Sequence, residues 1–111
     1  MILTAVLKDK EVVPVDDYET WGRFMTSPER FVQKTRIPAI LLDGCGDLSP
    51  IEVSTVFLGL NHSWSTGKDL WFETMVFGGP LGGESKRYET YSEAMAGHQV
   101  MVERVLEARK N

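Results

Sequence analysis

Residues 51–77 read IEVSTVFLGLNHSWSTGKDLWFETMVF, and this stretch decides the fold. It opens and closes with runs, 51–60 and 70–77, that are rich in β-branched and aromatic residues. Both runs stay mostly apolar on each side of a period-two alternation, which predicts strands at the centre of a sheet, covered on both faces or covered by a partner. The polar loop 61–69 joins these two runs, and strands that follow one another in series predict an antiparallel sheet. One carboxylate, Glu73, interrupts the second run.

Outward from this core the pattern stays strand-like. Residues 78–85 (GGPLGGES) are turn-rich, and 86–91 form a shorter, more polar strand suited to an edge. On the other side, 30–37 (RFVQKTRI) alternate. Phe31, Gln33, Thr35 and Ile37 are predicted on one face, with Arg30, Lys34 and Arg36 around Val32 on the other. A second turn-rich stretch, 43–50 (DGCGDLSP), precedes the core. Near the start, 2–7 read as a strand and 12–15 as a second short run. Pro14 cannot donate to a ladder, so that run is an edge strand or an extended arm.

Two helices complete the order. Asp16 and Glu19 have capping-box spacing, and Tyr18, Trp21, Phe24 and Met25 recur as one apolar stripe. This helix should stop near Ser27–Pro28, because a residue before proline is pushed out of the helical region. At the other end Thr90 and Glu93 form the pattern T-x-x-E. Behind them Ala94, His98, Met101, Val102, Val105 and Leu106 fall on one face at helical spacing. Gly97 costs about 1 kcal/mol inside a helix. Close approach of the helix backbone to the sheet would explain it. The expected fold is α+β: an antiparallel sheet of about four to five strands with two helices packed on it, in two layers.

The chain has 111 residues, one domain's worth, expected to span 1–111. A net charge of -4 argues against a general nucleic-acid or anionic-membrane binder. A single cysteine, Cys45, leaves no internal disulfide and no cysteine-cluster zinc site. No run approaches the ~18 apolar residues of a membrane span, and the first residues lack a leader pattern. A cytosolic protein is expected.

The candidate binding residues are His62, Ser63, Trp64, Thr66 and Lys68 in the 61–69 loop, together with Glu73. A loop on a rigid scaffold is where recognition groups tend to sit, and Trp is a frequent interface anchor. The alternative is a hairpin loop whose Trp64 folds back on the core. Ser65-Thr66-Gly67-Lys68 lacks the full phosphate-loop pattern. His62, Glu73 and His98 could form a metal-dependent enzyme site, since two histidines need a carboxylate as third ligand. Against that, a histidine on an apolar helix face is ordinarily a core residue. Glu73 is expected to pair with Lys34, Arg36 or Arg87 from a neighbouring strand. No catalytic residue and no cofactor is assigned. Trp21, Trp64 and Trp71 are many for a small core, so apolar surface is expected to be left over for a homo-oligomer or a partner protein.

Through VSTVFLGLNHSW, LWFETMVFGGPLGGE and RYETYSEAMAGHQVMVERV, the chain resembles small proteins encoded by tailed bacteriophages and prophages. The resemblance runs from residue 53 to 105, is looser before that, and makes 37–50 look like an insertion. It implies a phage origin, without an activity. It also implies that His62, Glu73, Gly78, Gly79, Gly97 and His98 belong to the family's pattern. The function expected is a phage accessory protein in the host cytoplasm that binds a host protein or a small host molecule, in host takeover or counter-defence. A small metal enzyme and a virion component are the alternatives.

Overall fold

The computed structural model describes residues 4–38, 50–61 and 68–109. In chain order the elements are strands β1 (Ala5–Lys8) and β2 (Glu11–Pro14), helix α1 (Tyr18–Met25), a 3-10 turn (Pro28–Arg30), strands β3 (Phe31–Ile37), β4 (Ile51–Phe57), β5 (Phe72–Phe77) and β6 (Ser85–Tyr88), and helix α2 (Tyr91–Arg109). Strands β3 to β6 form one antiparallel sheet in the order β3-β4-β5-β6, and β1 and β2 form a separate hairpin. The α+β class stands. The two runs that decided it, β4 and β5, hold the centre, and the more polar β6 is an edge.

Alternation sorts the sheet into two faces. Ile51, Val53, Thr55 and Phe57 of β4, with Phe72, Thr74 and Val76 of β5, are buried beneath α2. Glu52, Ser54 and Val56, with Glu73, Met75 and Phe77, point the other way. The helix contributes Ala94, His98, Met101, Val102 and Val105 to the interface. Leu106 is the exception to the expected stripe and is exposed.

The core divides into two apolar clusters. One joins Ile37, Ile51, Val53 and Val76 to Met101, Val102 and Val105. The other joins Phe57, Trp71, Phe72 and Tyr88 to Ala94 and Ala5, with Phe24 and Met25 of α1 packed against it. The β1–β2 hairpin and α1 therefore close one end of the sheet, while α2 lies along it. Ala5 N–H donates to Gly59 O at 3.1 Å, and Trp21 Nε1 donates to the same carbonyl at 3.0 Å. Gly59 has φ +74°, and a Cβ there would strike Met25 Sδ at 2.5 Å, so glycine is required.

Caps form close to where the sequence sets them. Thr90 Oγ1 accepts from Glu93 N–H at 3.1 Å and donates to the Glu93 carboxylate at 3.1 Å. The cap of α1 is Asp17 and not Asp16. Its carboxylate accepts from Glu19 N–H at 3.0 Å and from Thr20 Oγ1 at 2.6 Å. Those two bonds, Thr20's first, hold its pKa below the usual carboxylate value. Asp17 succeeds because it stands two residues before the free N–H, within reach of one short side chain.

One strand departs from simple alternation. Phe31 pairs with Val56 and Gln33 with Thr55, so Val32 is an extra residue, a β-bulge. The bulge turns Val32 toward the Phe57 cluster and leaves Phe31 41% exposed. The expected placement of these two residues is thereby reversed.

Candidate functional site

Of the six candidate binding residues, His62, Ser63, Trp64 and Thr66 lie outside the described residues, as does Cys45. The described ends of their loop are clasped by Asn61 Nδ2 donating to Asp69 Oδ1 at 2.8 Å. Leu58 N–H donates to Trp71 O at 2.7 Å just inside that clasp. Lys68 is exposed and borders a shallow hollow with Lys86, Tyr88 and Gly97. Two of the three tryptophans serve packing. Trp71 is buried and stacks on Phe57 with ring centroids 6.1 Å apart, and Trp21 is tied to Gly59.

Glu73 sits on the sheet face away from α2, where its carboxylate accepts from Arg87 Nε at 3.0 Å. The two residues are directly opposed across β5 and β6. This is the cross-strand pairing that a carboxylate in an apolar run requires.

His98 lies on the opposite face and is fully buried. Its Nε2 meets Thr35 Oγ1 at 2.8 Å, and its Nδ1 meets Thr55 Oγ1 at 2.7 Å. Thr55 Oγ1 in turn bonds Thr74 Oγ1. Each hydroxyl can donate or accept, so the chain is satisfied with a neutral imidazole in either tautomer. Burial lowers the His98 pKa from 6.5, because the charged form loses its water. The proposed trio of His62, Glu73 and His98 is therefore not assembled, since strand alternation places Glu73 and His98 on opposite sides of one sheet. Among the described residues no cluster of His, Cys, Asp and Glu could hold a metal ion.

The 78–85 connection is a packed turn. Gly83 N–H donates to Val76 O at 2.9 Å and Glu84 N–H to Leu81 O at 3.0 Å. Leu81 packs on the core, and Glu84 pairs with Arg104 of α2 at 2.8 Å.

What remains is the second face of the four-stranded sheet. No described element covers it. Phe31, Val56, Met75 and Phe77 line a shallow hollow of about 310 Å³, together with Arg30, Lys34, Glu52, Ser54 and Glu73. Phe77 is 50% exposed. Lys34 Nζ of β3 lies 4.2 Å, and the guanidinium of Arg30 in the preceding 3-10 turn 5.3 Å, from the Phe31 ring centroid. These residues, Glu73 apart, were not among the candidates. The signal was present in two strands apolar on both faces and only two helices to cover them. No family model, curated protein or solved structure matches the chain. Among the described residues no helix is long and apolar enough to cross a membrane.

Proposed function

We propose that the chain is a phage-encoded accessory protein that binds a host protein in the host cytoplasm, in takeover or counter-defence, and that the uncovered sheet face is its contact surface. One observation carries the reading. Phe31, Val56, Met75 and Phe77 stand together on one face of the sheet, and no described element packs on them. An exposed apolar patch rimmed by charge is the usual mark of a protein contact. The hollow is broad and shallow, whereas a small molecule favours a pocket that encloses most of its surface. The phage origin rests on the resemblance over residues 53–105.

The test compares immobilised wild-type chain with Phe77→Asp and Val100→Asp variants in lysate of the bacterial host. Val100 is exposed on the outer side of α2. The reading expects a host protein held by wild type and Val100→Asp, and lost with Phe77→Asp. Retention indifferent to Phe77, or self-association of the chain alone, contradicts it.

A further inference from the structure

We infer that the open sheet face receives a short acidic segment of its partner, whose carboxylates lie against Arg30 and Lys34 while its apolar side chains seat on Met75 and Phe77. The inference rests on the binding reading above and adds the chemistry of the bound element. The bulge at Val32 is the first support. Without that extra residue, alternation would place Phe31 under α2 with Thr35 and Ile37. With it, the ring faces outward among the cations on either side of it. Bulges commonly re-aim one side chain at a site.

Charge is the second support. The Glu73 carboxylate is taken by Arg87, and Glu52 stands opposite Arg36 in register. Arg30 and Lys34 are left with an aromatic ring and no carboxylate within salt-bridge distance among the described residues. Arg30 Nε is a buried donor with no acceptor among the described residues. A chain of net charge -4 thus keeps two cations without an ion-pair partner among the described residues, at the Phe31 end of the hollow. Those two cations steer and orient an acidic partner.

The experiment pans a display library of random peptides on the full chain and measures the recovered peptides by fluorescence anisotropy, beside an oligothymidine single strand. The expected peptides carry Asp or Glu next to an aromatic or long aliphatic residue. Lys34→Glu should weaken them about tenfold or more, whereas Arg23→Glu, the same kind of charge reversal on exposed α1, should leave them unchanged. Thermal melts of both variants establish that they fold. Peptides without acidic enrichment, indifference to Lys34→Glu, no recovered peptide, or tighter binding of the oligothymidine would overturn the inference. If lysate capture depends on Phe77 and not on Lys34, the acidic segment is wrong and the binding surface stands. If capture ignores Phe77, both fall.

Discussion

His98 separates two things that the sequence leaves mixed, a functional histidine and a structural one. Along β4 the inward residues run Ile51, Val53, Thr55, Phe57, and along β5 Phe72, Thr74, Val76. The threonines align with His98 and form a polar layer between the two apolar clusters. A register slip would leave buried hydroxyls and the imidazole unpaired, at about 1–3 kcal/mol for each group. The layer therefore specifies which residues of β3, β4, β5 and α2 meet. It also links stability to pH. The folded His98 pKa lies below its unfolded value, so the unfolded chain binds the extra proton first. His98's contribution is fully present above pH 6.5 and is lost as pH falls from there toward the folded value. Melting temperatures recorded across this interval should fall for wild type and be flatter for His98→Leu. Equal slopes would contradict the assignment.

Gly97 is the other residue whose role is settled by one contact. A Cβ there would lie 2.2 Å from Tyr88 Cζ and Oη. The close approach expected from a glycine inside a helix is thus a tyrosine ring from β6 lying against the helix backbone. Gly97→Ala should destabilise by about 1–2 kcal/mol, because overpacking outweighs the gain in helix propensity. In a Tyr88→Ala background the same substitution should instead stabilise by about 1 kcal/mol. Denaturant titration of the four proteins checks this, and additive effects would contradict it.

At the scale of elements, α2 matters most, because among the described residues it alone covers the length of the sheet. Its start is fixed by Thr90, and Thr90→Ala should cost about 1 kcal/mol. In a domain of this size that lowers the melting temperature by roughly 5 °C. A melting curve that does not move would show the cap to be idle. Element by element, the sequence is legible where one local device decides the outcome. The T-x-x-E spacing, Gly97, the Glu73 pairing with a cross-strand arginine and the central place of β4 and β5 are of this kind. It is silent where one residue shifts a register. Nothing in RFVQKTRI marks Val32 as the extra residue, since an unbroken alternation already gives one apolar and one charged face. The bulge follows from Val32 packing against the Phe57 cluster, a tertiary contact. The cap of α1 illustrates the same limit, because Asp16 and Asp17 are chemically equal and only chain direction selects between them.

At the scale of the molecule, the described residues form a sheet with α2 on one face and no element on the other. Its α2 face is closed by apolar side chains and the Thr–His network. The other face carries exposed Phe31 and Phe77 beside half-buried Val56 and Met75. Phe77 contributes little to folding while half exposed, so Phe77→Asp should leave the melting temperature within about 2 °C of wild type while abolishing partner capture. A fall as large as that of Thr90→Ala would mean that the face is packed by another part of the chain.

Methyl NMR of the chain with labelled methionines tests the central claim most directly. Met75 stands on the face away from α2, and Met101 of α2 is buried against the opposite face. On adding the captured host protein, the Met75 methyl signal should shift or broaden while Met101 holds its position. A Met75 signal that stays fixed while the partner binds would contradict the account.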